Sequence, residues 1–403
     1  MIAGLVAQTL VSMGAEVIDL GLSTTPTVEF EVAAENAAGG IIITASHNPK
    51  EWNALKLLNN KGEFISAEVG AQILNNAELG NINFSLVDKT GSITPKYDHA
   101  DRHLDAIVSH ALVNKNLIEN QNLKIVVDAI NSSGAVFVPL LLKKLGIQVQ
   151  NIIVLNAEVD GKFAHNPEPL PQHLTQLSAA VISNKADLGI SVDPDVDRLV
   201  FVCEDGSMFG EEYTLVAVAD YVLGKTKGDT VSNLSSTRAL KDITEKHGGK
   251  YHAAAVGEVN VVAKMKEVNA VIGGEGNGGI IVPDFHYGRD ALVGIALFLT
   301  QLSQSSKTVK QLRSSYPNYF ISKNKIEMDG KTNLNVVFEK LKEKYKSNPL
   351  NTIDGLRIEF DNDWVHLRSS NTEPIIRIIA ESNFETTANN IASKLIRDIQ
   401  ESL

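Results

Sequence analysis

Apolar residues along this chain fall into short runs, separated by longer stretches in which apolar positions recur with helical spacing. In the first hundred residues this pattern predicts helices over 2–13 and 28–36, and strands over 16–20 and 39–43. Short strands that alternate with helices are typical of doubly wound α/β domains. We therefore predict that the chain opens with an α/β fold.

The alternation of strand and helix recurs in two further units and then gives way to a different order. The last segment is predicted to contain several strands close together and a terminal helix over 386–402, which is an α+β pattern. The charged stretch 303–315 before it is predicted to be a linker or a domain-closing helix. The predicted fold class is α/β: three similar doubly wound α/β domains followed by a C-terminal α+β domain. We number these domains I to IV and place them at 1–97, 98–205, 206–315 and 316–403.

Composition narrows the range of possible partners. A chain of 403 residues is too long for a single core. Its formal net charge of −11 argues against nucleic acid or an anionic membrane as a partner. The single cysteine, Cys203, excludes an internal disulfide framework. Because no apolar run approaches the roughly 18–20 residues that span a bilayer, we expect a cytoplasmic protein with no membrane or nucleic-acid partner.

The run Thr-Ala-Ser-His-Asn-Pro at 44–49 directly follows the predicted strand 39–43. Ser46 is therefore expected at the end of a buried strand, where open α/β sheets keep their ligand sites. The alternative is an ordinary turn rich in serine, asparagine and proline.

A second polar run, Asp-Pro-Asp-Val-Asp-Arg at 193–198, connects two apolar runs that are predicted to be strands. Alternation along the chain aims Asp193, Asp195 and Asp197 roughly the same way, and Pro194 keeps the segment out of a helix. Three carboxylates in one place are costly unless a cation neutralises them, and oxygen ligands favour Mg²⁺ or Ca²⁺ over zinc. The alternative is a solvated acidic turn.

Two further loops carry groups that suit a phosphorylated sugar. The glycine-rich run 273–279 holds Glu275 and Asn277, an acceptor and an amide that suit sugar hydroxyls. The run 368–377 holds two arginines and several hydroxyl and amide groups, which together make a phosphate cradle. The alternative for each run, taken alone, is an ordinary turn at the surface.

In this order, the four runs resemble the active-site loops of the α-D-phosphohexomutase family, which includes phosphoglucomutase, phosphomannomutase and phosphoglucosamine mutase. The resemblance covers essentially the whole chain, with one loop from each domain facing a central cleft. It implies an intramolecular phosphotransferase that acts on a small phosphosugar, with hexose 1,6-bisphosphate as intermediate and activator. It also implies one Mg²⁺ per chain, held by Ser46, Asp193, Asp195 and Asp197.

The resemblance assigns roles to individual residues. The implied catalytic residues are Ser46 (as phosphoserine), His47, Lys56 and Arg198. The implied substrate-binding residues are Glu258, Glu275, Asn277, Arg368, Ser370, Asn371, Thr372 and Arg377. Lys56 could act as a base only if its pKa were lowered, and the alternative is a surface lysine. Ser46 and His47 are not expected to form a hydrolase pair, because neighbours in an extended loop point apart and the nucleophile-elbow motif is missing.

The preferred sugar is left open between two interpretations. The glycine-rich loop ends in Gly279, where many mannose- and glucose-specific relatives have histidine, so the chain looks most like phosphoglucosamine mutase. Glu258 could favour a 2-ammonium group, or it could be a carboxylate that caps the helix over 259–266. His286 and Arg289 could each face the cleft, although helix capping by Asp290 explains part of that segment.

The sequence is compatible with three other functions. They are a bispecific phosphoglucomutase/phosphomannomutase, a metal-dependent phosphatase, and a truncated non-catalytic phosphosugar-binding protein. The last arises because members of the family usually open with a further strand and a basic loop, so the N-terminus looks truncated. The oligomeric state is expected to be monomer or homodimer.

Overall fold

A computed structural model describes residues 1–48, 51–80, 82–328, 334–369 and 375–402. Within these ranges the strands form two small pairs, two four-stranded sheets and one five-stranded sheet. No helix among the described residues is both long enough and apolar enough to cross a membrane. The arrangement follows the predicted order of α/β units and a final α+β unit.

Domain I carries its strands as two separate pairs. One pair is parallel and the other is an antiparallel hairpin, with the serine run in the connection between its two strands. In that hairpin Ile42 lies opposite Lys56, which brings the predicted lysine back towards the serine loop. The elements of this domain are α1 (Ile2–Ser12), β1 (Val17–Asp19), α2 (Thr25–Ala34), β2 (Gly40–Ile43), β3 (Leu55–Leu58), α3 (Ala67–Glu78) and β4 (Ile93–Pro95), with β1 paired to β4 and β2 to β3.

Domain II contains a four-stranded sheet whose last strand runs antiparallel to its neighbour. All residues of the last two strands are buried, as expected for strands covered on both faces. Their connection carries the aspartates. The elements are α4 (His99–Val108), α5 (Lys115–Asn120), β5 (Ile125–Asp128), α6 (Gly134–Lys144), β6 (Ile152–Leu155), α7 (Thr175–Asn184), β7 (Leu188–Val192) and β8 (Leu199–Cys203), in the sheet order β6-β5-β7-β8.

Domain III repeats this plan, and again the connection before the antiparallel last strand carries the polar loop. Its elements are α8 (Glu211–Lys225), β9 (Thr230–Asn233), α9 (Ala239–Lys246), β10 (Tyr251–Ala254), α10 (Glu258–Val268), β11 (Ile272–Glu275), β12 (Gly279–Ile281), α11 (Ala291–Ser305) and α12 (Val309–Arg313), in the sheet order β10-β9-β11-β12. The stretch 303–315 is thus the end of α11 followed by the short helix α12.

Domains II and III share one hydrophobic core. Helix α11 is buried over most of its length and is apolar on nearly every face, and it packs against α4, α5 and α8. One cluster of buried apolar residues in mutual contact includes α11 and extends from Leu104 of domain II to Tyr316. Because their apolar surfaces are merged, we expect domains II and III to move as one body.

Domain IV is an antiparallel sheet with its own core. Its contacts with domain III are largely polar: Ser235 lies 2.8 Å from His366, and the Arg238 backbone N–H donates to Glu381 over 3.0 Å. The elements are β13 (Phe320–Glu327), α13 (Leu334–Lys344), β14 (Leu350–Asn351), β15 (Leu356–Glu359), β16 (Trp364–Ser369), β17 (Ile375–Ser382) and α14 (Glu385–Ser402), in the sheet order β13-β17-β16-β15-β14.

Candidate active site

Ser46 lies in the connection after β2, and its hydroxyl reaches the aspartate loop of domain II. Its backbone is in the left-handed region, with a φ of 51°, and its N–H donates to Thr44 Oγ1 over 2.9 Å. The Ser46 Oγ donates to Asp193 Oδ2 over 3.1 Å. The structure therefore brings the serine loop and the carboxylate loop, 147 residues apart in sequence, into direct contact.

His47 lies beside Ser46, contrary to the expectation that the two side chains point apart. The Nδ1 atom of His47 is 3.2 Å from Ser46 Oγ, because the left-handed turn at Ser46 removes the alternation of an extended chain. On the other side, Arg198 Nη2 lies 3.3 Å from His47 Nε2. Arginine can only donate, so Nε2 accepts and Nδ1 carries the proton that points to Ser46. Burial, followed by the charge of Arg198, lowers the pKa of His47 to about 4.

This geometry disfavours His47 as a base towards Ser46. The imidazole nitrogen that faces the hydroxyl is already protonated in the neutral ring, so it donates a hydrogen bond to the oxygen. The resulting chain runs from Arg198 through His47 and Ser46 to Asp193, and every link has a donor and an acceptor. The arrangement orients the Ser46 oxygen and does not deprotonate it.

The three aspartates are buried in the connection between β7 and β8. Asp193 Oδ1 accepts the backbone N–H groups of Asp197 and Arg198, both over 3.1 Å, which closes the loop on itself. One oxygen from each of Asp193, Asp195 and Asp197 lies within 4.8 Å of the others. Burial and the neighbouring Asp197 and Asp195 raise the pKa of Asp193 well above its ordinary value.

Lys56 neutralises part of this acidic cluster. Its Nζ atom lies 2.7 Å from Asp195 Oδ2 and 3.1 Å from Asp197 Oδ2. Burial opposes the charged form of Lys56, but the two carboxylates outweigh burial and raise its pKa above the ordinary value. A base would need the opposite shift, so in this arrangement Lys56 is held protonated as the counter-charge of the two carboxylates.

The aspartate loop fits a divalent cation. Asp195 Oδ1 and Asp197 Oδ1 are buried, and neither accepts a hydrogen bond from the residues that the structure describes. Buried carboxylate oxygens without a donor are costly unless a cation contacts them. Several oxygen ligands of this kind suit Mg²⁺.

The glycine-rich loop is the hairpin connection between β11 and β12. Glu275 is buried at the end of β11, and its Oε1 accepts from Asn233 Nδ2 over 2.8 Å and from the Gly257 N–H over 3.0 Å. Asn277 Oδ1 accepts the Gly279 N–H over 3.2 Å and so stabilises the hairpin turn. Both predicted sugar ligands are therefore positioned at the end of the domain III sheet.

Glu258 does not cap the helix that it begins. The N-cap of α10 is Gly257, with a φ of 112°, and no side chain caps the helix. Instead Glu258 Oε2 accepts from Arg289 Nε over 2.8 Å. Glu258 thus forms no capping hydrogen bond, although it is the acidic residue of the first turn of α10, where a carboxylate complements the helix dipole. An ammonium group of the substrate that bound Glu258 would share this carboxylate with the guanidinium of Arg289.

Of the predicted phosphate cradle, the structure describes the two arginines, which lie on neighbouring strands of domain IV. Arg368 on β16 is directly opposite Arg377 on β17, an arrangement of like charges that is unfavourable unless an anion or a carboxylate offsets it. Arg368 also pairs with Asp354 Oδ2 over 2.9 Å, while Arg377 is exposed. The predicted ligands Ser370, Asn371 and Thr372 lie outside the described residues.

Two further residues contact the aspartate loop: Thr25, which the sequence did not single out, and Arg289, which was only a candidate for the cleft. Thr25 donates its hydroxyl to Asp195 Oδ2 over 2.7 Å, and Arg289 reaches Asp197 Oδ2 over 2.7 Å. The only local signal for Thr25 is the capping run before α2, and nothing local to Arg289 indicates its contact with the aspartate loop. A cavity of about 330 Å³ opens beside these residues, lined by Lys56, Leu57, Phe64, Ile65, Glu258, Val259 and Arg289.

The segment after β12 also joins domain III to domain II. Asp290 caps α11 by accepting the Leu292 and Val293 N–H groups, as predicted. Its other oxygen lies 3.1 Å from His103 and 3.2 Å from His286. Asp290 therefore joins domain III to domain II through His103, while its contact with His286 stays within domain III.

Comparison with known proteins matches the chain domain by domain. Residues 1–81, 101–206, 210–319 and 324–397 match phosphoglucomutase/phosphomannomutase α/β/α domains I, II and III and the C-terminal domain, respectively. A phosphoglucomutase/phosphomannomutase of Thermococcus kodakarensis is 35% identical over 98% of this chain and 86% of its own length. A probable phosphoglucosamine mutase of Methanopyrus kandleri is 32% identical over 98% of this chain and 85% of its length. The crystal structure of a phosphoglucomutase/phosphomannomutase family protein from Burkholderia thailandensis superposes with a TM-score of 0.86, at 26% identity, over 100% of this chain and 86% of that one.

Proposed function

The chain belongs to the phosphoglucomutase/phosphomannomutase family of phosphohexomutases, and we propose that it interconverts hexosamine 6-phosphate and hexosamine 1-phosphate, with glucosamine preferred. The observation that carries this proposal is the 3.1 Å contact between the Ser46 hydroxyl and Asp193 of the aspartate loop. A nucleophilic oxygen beside a cation site is the arrangement that phosphoryl transfer requires.

In the proposed cycle, Ser46 carries the phosphoryl group as phosphoserine. The bond from Ser46 Oγ to phosphorus breaks as the free hydroxyl of the sugar phosphate forms a new bond to the same phosphorus. The product is a 1,6-bisphosphate, which turns in the cleft and returns its other phosphoryl group to Ser46. The proton that each attacking hydroxyl loses is balanced by one gained at the oxygen that leaves. Lys56 is the proposed carrier: it would donate to the leaving oxygen and recover a proton from the attacking hydroxyl.

Mg²⁺ would be held by Ser46 (through its phosphate), Asp193, Asp195 and Asp197, and would supply positive charge against the transferring group. Arg198 adds a second positive charge through its contact with His47. His47 orients the Ser46 oxygen. Arg368 and Arg377, with Ser370, Asn371 and Thr372, would hold the distal phosphate.

The preference for an amino sugar rests on charge. Two buried carboxylates, Glu258 and Glu275, share the guanidinium of Arg289, and that guanidinium also pairs with Asp197. The sugar side of the site therefore keeps an excess of negative charge, which suits an ammonium group better than a neutral hydroxyl. The similarity to proteins named phosphoglucosamine mutase agrees with this argument. We further propose a cytoplasmic location and a monomer or homodimer.

A bispecific phosphoglucomutase/phosphomannomutase is the second candidate, favoured by the name of the Thermococcus kodakarensis relative. A coupled assay with Mg²⁺ and a hexose 1,6-bisphosphate activator separates the two. We expect a higher kcat/KM for glucosamine 6-phosphate than for mannose 6-phosphate, and the reverse order would refute the amino-sugar proposal. Net release of inorganic phosphate would instead identify a phosphatase, and ligand binding without turnover a phosphosugar-binding protein.

A further inference from the structure

Arg289 joins the cation site to the sugar-binding carboxylates. It lies in the segment between β12 and α11, its side chain is almost completely buried, and all three guanidinium nitrogens form ion pairs. The Nε atom contacts Glu258 over 2.8 Å, Nη1 contacts Glu275 over 3.0 Å and Nη2 contacts Asp197 over 2.7 Å. One planar group thus contacts a carboxylate from each of three separate segments.

These contacts decide which carboxylate oxygens remain available. Arg289 and Lys56 both donate to Asp197 Oδ2, which leaves Oδ1 of the same residue buried without a donor. On the sugar side, Glu275 Oε1 already accepts two hydrogen bonds and Oε2 accepts the one from Arg289. A carboxylate accepts about four hydrogen bonds, so about one acceptor position of Glu275 is left for a sugar donor.

The path of the Arg289 side chain requires glycine at position 279. A Cβ atom at Gly279 would lie 2.4 Å from Arg289 Cδ and 3.1 Å from Cγ. The first of these distances is below any normal carbon–carbon contact, and the buried guanidinium cannot move without breaking its ion pairs. Gly279 and Arg289 therefore act as one structural unit.

We propose that Arg289 is a positioning residue, with Gly279 making room for it, that orients Asp197 towards the cation and Glu275 towards the sugar. The proposal rests on the mutase function proposed above. A planar fork can serve three acceptors in fixed directions, whereas the ammonium group of lysine is a point charge without that geometry. Loss of Arg289 should therefore weaken cation binding and sugar binding together.

The test compares Arg289→Met, Arg289→Lys, Gly279→Ala and the double variant Gly279→Ala/Arg289→Met with the parent protein. Mn²⁺ affinity is measured by electron paramagnetic resonance without substrate, and KM and kcat by the coupled assay. Gly224→Ala is the matched control, because a Cβ there meets only His247 Cε1 at 3.8 Å. Melting temperature and circular dichroism establish that each variant is folded.

We expect Arg289→Met and Gly279→Ala each to weaken Mn²⁺ binding by about tenfold or more and to raise KM, with the control unchanged. The double variant should be no worse than Arg289→Met, because both changes remove the same contacts. Unchanged Mn²⁺ affinity in folded variants, multiplicative losses in the double variant, or full rescue by lysine would each overturn the proposal. Since Mn²⁺ binding is measured without turnover, failure of the proposed mutase function would be seen separately.

Discussion

Acid should lower the free energy of unfolding of domain IV, because one buried histidine there resists protonation. His366 on β16 donates from Nε2 to the Asp354 carbonyl over 2.6 Å, so its Nδ1 accepts the Ser235 hydroxyl over 2.8 Å. Protonation at Nδ1 would remove that acceptor and place a charge near Arg357 and Arg368. Burial is the largest cause that lowers the pKa of His366 to about 4.

The magnitude follows from the pKa in the two states. A histidine in an unfolded chain has a pKa of about 6.5. Between pH 6.5 and about 4, the unfolded chain therefore binds one proton at His366 that the folded chain does not. The free energy of unfolding is therefore at its full value above about pH 6.5, and it falls as the pH is lowered towards about 4. At about 1.36 kcal/mol for each pH unit, the total loss is about 3 kcal/mol.

Trp364 provides the assay, because it lies on the same strand as His366 and is fully buried. The only other tryptophan, Trp52, is removed as Trp52→Phe, so that fluorescence reports domain IV. Denaturant unfolding is then measured between pH 7 and 4.5, with and without His366→Gln, which cannot titrate. The parent should lose about 2–3 kcal/mol more than the variant. Equal losses would refute this account of His366.

Three further predictions concern the site directly. Ser46→Ala should abolish turnover while changing the free energy of unfolding by no more than about 1 kcal/mol, and retained mutase activity would exclude a phosphoserine mechanism. Removal of divalent cations with EDTA should stop turnover, with Mg²⁺ restoring it better than Zn²⁺; an enzyme indifferent to the chelator would have no cation at the aspartates. Arg368→Ala should raise KM by roughly tenfold or more, since a charge-assisted contact to phosphate contributes about 1.5–3 kcal/mol, and an unchanged KM would place the phosphate elsewhere.

The amino-acid pattern was sufficient for the elements that carry the site. Strands β7 and β8 coincide with the two apolar runs that flank the aspartates in the sequence, because a strand buried on both faces is largely apolar. The loop between them was recognisable because three alternating aspartates have few structural explanations. Domain I was harder: its strands form two separate pairs, a feature that local periodicity does not encode.

Contacts between segments far apart in the sequence determine which charged side chains meet at the candidate site. The resemblance to the family implied that the loops of Ser46, Asp193 and Glu275 face a common cleft, and for Ser46 its place after a predicted strand agreed with this. Only the tertiary structure placed Arg289 among three carboxylates and so changed the interpretation of Glu258. The physical reason is that hydrophobic periodicity is a local property of the chain. Charge pairing, in contrast, depends on which distant segments meet in the fold.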